Sequence, residues 1–146
     1  NVLDRRHQQS GIFEEADSRG VAIFLRSVYL QGLLVMPEAK IPGHLRAILE
    51  PRRKLKALAD QAGIGIEELA LRYPLAQRGI TSILTGVETV DQVRNNLAMI
   101  ERGPLPDDFL NAISAIVPNL PESLLTPSHW PALAATAAEP SPVSTP

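Results

Sequence analysis

Apolar positions recur along the chain with two different periods, and the switches between them mark out the elements. Ile12, Phe13 and Ala16 share one face of a short helix predicted over 12–19. Ser10 is its expected N-cap, Glu14 and Glu15 suit the positive first turn, and Gly20 ends it. Val21-Ala22-Ile23-Phe24-Leu25 is then apolar without alternation, as in a parallel-sheet strand covered on both faces. Gly32, Pro37, Pro42 and Gly43 punctuate a long loop from Arg26 onward, followed by a helical turn over 44–49. Helical spacing returns at Leu55, Leu58, Ala59 and Ala62, in a helix predicted from Pro51 to Ala62 with Gly63 as its stop. Arg52, Arg53, Lys54 and Lys56 read as its solvated side. A further helix is predicted over 66–78, with Leu69, Ala70, Tyr73 and Ala76 inward, a kink at Pro74 and Gly79 as its close.

The stretch from Ile80 to Ile100 organises the rest. Ile80, Ile83 and Leu84 form a short apolar run that predicts a buried strand, and Gly86 provides the turn after it. Thr89 with Gln92 three residues later has the spacing of a capping box. Val90, Val93, Leu97 and Ile100 then give the following helix one apolar face. A last helix is predicted over 106–117, with Phe109, Leu110, Ile113 and Ile116 on one side. Asn1-Val2-Leu3 reads as the tail of an earlier strand, and with Asn rather than Met in first place the chain reads as a piece of a longer protein. Beyond Trp130, Pro, Ser, Ala and Thr dominate without apolar periodicity, so a domain over 1–130 and a disordered tail over 131–146 are expected.

Strands alternating with helices imply parallel βα units and an α/β fold. Two architectures fit the pattern equally, an open doubly wound sheet and part of a (β/α)8 barrel. Composition narrows the function more than the fold. Apolar residues make up 45% and charged residues 21% of 146, ordinary for a globular domain. A net charge of −2 with no dense basic face gives no reason to expect nucleic acid. No apolar run approaches the ~20 residues of a membrane span, so no membrane partner and a cytoplasmic location are expected. Cysteine is absent, which excludes disulfides, thiol catalysis and cysteine-bound metal. His7, His44 and His129 lack metal-ligand spacing, and Gly63-Ile64-Gly65 follows a helix and has no third Gly, so the Rossmann fingerprint is not met.

In both architectures ligands bind at the C-terminal ends of the strands, where Ser27 and Gly86 fall. A helix starting just past Thr89 directs free N–H groups outward, a site suited to an anion. Gln92, Asn95 and Asn96 add amides that can pair with an adenine edge. Adjacent asparagines weaken a helix relative to Ala, a cost that a bound ligand would explain; exposed polar residues without a ligand are the plainer alternative. Ser27 either donates to a phosphate oxygen or caps its own loop.

The segment Thr81–Leu97, with its Gly, Gln and Asn pair, resembles the cofactor-binding segment of the aldo-keto reductases. Leu25-Arg26-Ser27-Val28-Tyr29-Leu30-Gln31-Gly32-Leu33-Leu34 is similar to the Ser- and Gly-containing loop of that family, and Asn1-Val2-Leu3-Asp4-Arg5-Arg6 to the end of an earlier strand. The blocks come in family order and cover about Asn1 to Trp130. The resemblance implies a partial TIM (β/α)8 barrel, its C-terminal half, with about three parallel strands and their following helices. It implies NADP(H) or NAD(H) as cofactor and reduction of a small-molecule carbonyl, or oxidation of an alcohol, by hydride transfer. Ser27 would donate to the diphosphate, with Leu30 and Gly32 lining it through their backbone. Gly86 and Val87 would let the adenosine phosphate approach, and Gln92, Asn95 and Asn96 would hold the adenine and its ribose phosphate. Arg26 stands where many members carry an aromatic ring against the nicotinamide. Glu88 stands at or beside a position where some members carry a basic group for the 2′-phosphate, with Arg94 further along as a compensating cation. The family's Tyr, Lys, Asp and His tetrad belongs to its N-terminal half, a missing partner of this chain; Tyr29 and Tyr73 do not match the tyrosine's motif. This chain is therefore expected to be inactive and poorly stable alone. The rival readings are a non-catalytic dinucleotide sensor on the same barrel and an unrelated open α/β binding module.

Overall fold

The computed structural model describes residues 1–131. In chain order its regular elements are α1 (Arg6–Gln9), α2 (Ile12–Ser18), β1 (Phe24–Leu25), α3 (Leu49–Gln61), α4 (Ile66–Arg72), β2 (Ser82–Ile83), α5 (Val90–Glu101), α6 (Asp107–Ile116) and α7 (Glu122–Leu125). Short 3-10 turns lie at Glu38–Lys40, Gly43–Ile48, Pro74–Ala76 and Pro127–His129. Residues 132–146 of the expected tail lie outside the described residues.

The two strands pair in parallel, Phe24 opposite Ser82 and Leu25 opposite Ile83. Parallel pairing with α3 and α4 between the strands is the βαβ arrangement expected from the alternation. The strands are shorter than the sequence pattern predicts. Val21 is drawn back to the preceding helix, its N–H donating to Ala16 O at 2.8 Å. Phe24 is 62% exposed and Leu84 52%, so the strands are not covered on both faces. Among the described residues each strand has a neighbour on one side only.

Asn1–Leu3 forms no strand among the described residues. The Asn1 carboxamide oxygen accepts from the N–H groups of Leu3 and Asp4 at 3.1 and 3.0 Å, and Asn1 Nδ2 donates to Ser27 O at 3.2 Å. A local side-chain turn has taken the donors that a ladder would need. Val2 and Leu3 are nevertheless buried, so the hydrophobic signal was sound even though the strand reading was not.

The core lies on the helical side of the strand pair. Leu33, Leu34, Leu45, Ile48, Leu55, Leu69, Leu71 and Ile113 are among its fully buried members. Leu55 and Ala59 of α3 point into it as the spacing predicts, but Ala62 is exposed. Arg52, expected on the solvated side, is 7% exposed. Its guanidinium donates to Leu34 O at 3.0 Å and Met36 O at 2.6 Å and meets Glu38 at 3.4 Å. A fork of donors can satisfy a bent loop whose carbonyls have no ladder, which is why a charge is tolerated there.

Pro74 ends α4 instead of kinking it; the chain continues as a single 3-10 turn. Ser10 does not cap α2: its hydroxyl donates backward to His7 O at 2.8 Å, closing α1, and Gly11 takes the N-cap position with φ 73°. Ile12, expected to share the inward face, is half exposed, whereas Phe13 and Ala16 are buried. Gly79 has φ 83°, and an added Cβ there would run into the Phe13 carbonyl, so the chain passes closely under α2 at a place only glycine fits.

The capping box at Thr89 and Gln92 is present. The apolar face of α5 is not covered, however. Val90, Val93, Leu97 and Ile100 all remain exposed, and no residue of α5 is buried. The helix instead leans on α4, with Met99 partly buried against the core. No helix among the described residues is long and apolar enough to cross a membrane.

Candidate functional site

Parallel pairing brings the two segments that leave the strands to the same end of the sheet. After β1 the chain runs through Arg26 and Ser27 into the loop 28–36; after β2 it runs through Leu84 to Gly86 into α5. Between them lies a cleft of about 750 Å³. Ser27, Gly32, Gly86, Val87, Glu88, Gln92, Asn95 and Asn96 all line it. Ser27 and Asn96 therefore face one space, although 69 positions separate them in sequence, and neither is buried in hydrocarbon. A cleft of this size suits a ligand of cofactor dimensions.

The loop is held in an unusual shape. Ser27, Leu30 and Gln31 have φ of 62°, 47° and 54°, and Gly32 has 79°. Non-glycine residues in this region carry backbone strain. Consecutive turn bonds hold them there, with Leu30 N donating to Ser27 O at 2.9 Å and Leu33 N to Leu30 O at 3.0 Å. Leu30 is 1% exposed, so its side chain belongs to the core and only its backbone is available to a ligand.

Leu30 and Arg26 line a neighbouring cavity of about 670 Å³, not the cleft itself. Phe24, Leu25, Asn1 and Asp4 also border that cavity. Ser27 borders both spaces. The residues expected to act together thus fall into two adjoining groups joined at one hydroxyl.

Side-chain commitments differ along the cleft. Gln92 Oε1 accepts from Glu88 N at 2.6 Å and Thr89 N at 3.3 Å, so its oxygen is spent on the helix start. Asn96 Nδ2 donates to Thr85 Oγ1 at 3.4 Å, and Tyr29 donates its hydroxyl to Asn96 Oδ1 at 3.5 Å. Both bonds are long, so the Asn96 carboxamide is aimed but weakly engaged. Arg94 is paired with Asp91 at 3.1 Å on the outer side of α5 and does not line the cleft.

Tyr29, Glu67 and Thr85 also line the cleft, and none of the three is assigned to the cofactor site by the sequence. Burial, with the Glu67 charge adding to it, pushes the Tyr29 phenol above its ordinary range. Thr85 was recoverable from its place directly after the strand. Glu67 carried no signal, because an acidic side chain in the first turn of a helix is ordinary. Tyr73 faces the other cavity, its hydroxyl donating to Gln8 Oε1 at 2.7 Å, and burial raises its phenol as well. Among the described residues no group of three or more acidic or imidazole side chains is placed to hold a metal.

One further network fixes the helix behind the cleft. Glu68 is buried and takes Arg72 Nη1 on one oxygen and Arg102 Nη1 on the other, both at 2.6 Å. Arg72 also donates to Gly103 O at 2.7 Å and, at longer range, to the carbonyls of Arg102 and Pro104. The C-terminal end of α5 is thereby clamped to α4.

Residues that could hold a dinucleotide are present in kind. Ser27 stands at the junction of the two cavities, Arg26 and Arg6 line one of them, and amides with a helix N-terminus line the other.

A model of the Aldo/keto reductase family matches residues 1–118. A pyridoxal 4-dehydrogenase from Microbacterium luteolum is 28% identical over 102 residues, covering 64% of this chain and 29% of that protein. Two solved structures of the aldo-keto reductase AKR11C1 from Bacillus halodurans share this fold at 26% identity. The holo form superposes with a TM-score of 0.67 and the apo form with 0.64, each covering 84% of this chain and 42% or 43% of the other. The chain thus spans less than half the length of these relatives.

Proposed function

The chain belongs to the aldo/keto reductase family, and we propose that it supplies the dinucleotide-binding part of a nicotinamide-dependent carbonyl reductase or alcohol dehydrogenase. The observation that carries this reading is the convergence of Ser27, from the end of β1, and Asn96, from the helix after β2, on one cleft. The adenine and its ribose would lie against Asn95, Asn96, Val87 and Gly86. The diphosphate would lie at Ser27 and the backbone of Leu30 and Gly32, with Arg26 supplying positive charge from the adjoining cavity. The nicotinamide would then reach the space bordered by Phe24 and Arg26. When bound, the nicotinamide supplies the hydride; the residues described here bind and orient it.

The proton needed at the carbonyl oxygen would come from a residue outside these 146. In support, neither tyrosine hydroxyl has a lysine partner; Tyr29 meets Asn96 and Tyr73 meets Gln8. Burial raises both phenols, the reverse of what an acid active at neutral pH requires. The exposed faces of Phe24, Leu84 and α5 suit cover by the remaining strands and helices of a closed barrel.

The test is a fluorescence titration of the intact polypeptide with NADH and NADPH, followed by a hydride-transfer assay on a panel of aldehydes. Saturable binding that Ser27→Ala and Asn96→Ala each weaken is the expected result. Binding that neither substitution changes would remove this cleft from the reading.

A further inference from the structure

We infer that the adenosine end of the cleft selects against a 2′-phosphate, so that the unphosphorylated dinucleotide is the preferred ligand, and that Glu88 and Glu67 set this preference. The inference rests on the dinucleotide reading above. Among the described residues the ionisable side chains lining this cleft are Glu67, Glu88 and Tyr29; no Lys, Arg or His joins them. A phosphate on the ribose would add a charge of about −1.5 to −2 to a space whose formal charges are already both negative.

The cations that could offset it are occupied elsewhere. Arg94, the one basic residue of α5, is paired with Asp91 at 3.1 Å and lies off the cleft. Arg102, just beyond the helix, holds Glu68 at 2.6 Å. Arg26 borders the other cavity, on the far side of Ser27, where it suits a diphosphate. A cation suited to a diphosphate therefore lies on one side of Ser27, and the two carboxylates lie on the other.

Both carboxylates are anchored through their backbone. Glu88 N donates to Gln92 Oε1 at 2.6 Å, which fixes residue 88 at the mouth of α5. Glu67 sits in the first turn of α4, and its field reaches the Tyr29 phenol. A carboxylate is an acceptor only, and a phosphate at neutral pH offers it almost nothing to accept. A free ribose hydroxyl offers a donor. The same two groups that repel the phosphorylated ligand can therefore bind the unphosphorylated one, and specificity gains from both effects.

The experiment measures the dissociation constants of NADH and NADPH for the intact polypeptide by calorimetry or fluorescence. It uses the wild type, Glu88→Arg, Glu88→Gln and Glu67→Gln, at low and at high salt. The wild type is expected to bind NADH about tenfold more tightly or better, a difference of ~1.4 kcal/mol. Glu88→Arg should erase or invert the ratio, and each Gln variant should narrow it about threefold, or ~0.65 kcal/mol. High salt should shrink the ratio in the wild type, since the carboxylates are exposed. Equal or tighter NADPH binding by the wild type would overturn the inference and leave the dinucleotide reading standing, as would a ratio that neither Gln variant moves. Failure of both dinucleotides to bind would overturn the reading itself and the inference with it.

Discussion

The Tyr29 hydroxyl donates to the Asn96 carboxamide at 3.5 Å, joining the loop after β1 to the helix after β2 across the cleft. A bond this long is weak, and the Asn96 contact with Thr85 at 3.4 Å is little better. A ligand can displace either without leaving a strongly bound partner stranded. Replacing Asn96 with Ala should weaken dinucleotide binding about fivefold to tenfold, the worth of roughly 1 kcal/mol for a lost hydrogen bond. Tyr29→Phe keeps the ring and should change affinity less than about threefold. Titration of both variants checks the order, and a larger loss in Tyr29→Phe would reverse the assignment.

The capping box at Thr89 joins the helix start to the residue whose charge faces the cleft. Thr89 Oγ1 accepts from Gln92 N at 3.2 Å, and Gln92 Oε1 accepts in return from Glu88 and Thr89. Thr89→Ala should cost about 1 kcal/mol of stability. It should also loosen Glu88, so the ratio of NADH to NADPH affinity should fall even where total binding is kept. Denaturant unfolding reads the first effect and paired titrations read the second.

Gly79 and Gly63 separate two causes of intolerance to a side chain. Both have positive φ, 83° and 69°, but a Cβ at Gly79 would strike the Phe13 carbonyl, whereas at Gly63 it would meet open space. Gly63→Ala should cost about 1 kcal/mol through the backbone alone, and Gly79→Ala about 2 kcal/mol or more. The difference between the two unfolding midpoints is the measurement.

Glu68 has little exposure and two arginine partners, whereas Arg102 has a side chain 58% exposed. Removing the shared acid leaves two cations unanswered beside a buried site. Glu68→Ala should therefore destabilise by about 3 kcal/mol. Arg102→Ala removes a partner that water can replace and should cost under about 1 kcal/mol. Comparable losses in the two variants would show that Glu68 is not the centre of the clamp.

Burial works against the Asp4 carboxylate, yet the Arg6 guanidinium that donates to it at 2.8 Å holds its carboxyl below the usual range. A depressed folded-state pKa contributes stability that is complete above the unfolded value and is lost as pH falls through the folded one. Unfolding free energy should therefore drop with acid below about pH 4. Asp4→Asn should flatten that part of the profile while leaving the neutral range lower and level.

Several features are legible in the sequence itself. The Thr89–Gln92 cap is a local pattern, and local hydrogen bonds do not depend on the rest of the molecule. The same holds for the parallel βα alternation and the inward positions of Leu55, Ala59 and Leu69. Arg52 departs from the pattern because its neighbours Arg53, Lys54 and Lys56 make a solvated run, while the loop carbonyls that it satisfies lie 16 and 18 residues away. Asn1–Leu3 was misread because an apolar pair announces burial without saying whether a ladder or a side-chain turn accepts its N–H groups.

Residue types and their spacing determined the alternation of strands and main helices, where α5 begins, and that Ser27 and Gly86 stand just past strand ends, with Asn96 in the helix that follows. Only the tertiary structure decided that Ser27 and Asn96 share one cleft, that Arg26 and Leu30 border a different one, and that Arg94 turns away while Glu67 joins. The reason is one of range. Periodicity and caps act over a few residues, whereas the charge of a site is the sum over side chains brought together from distant parts of the chain by the pairing of two strands.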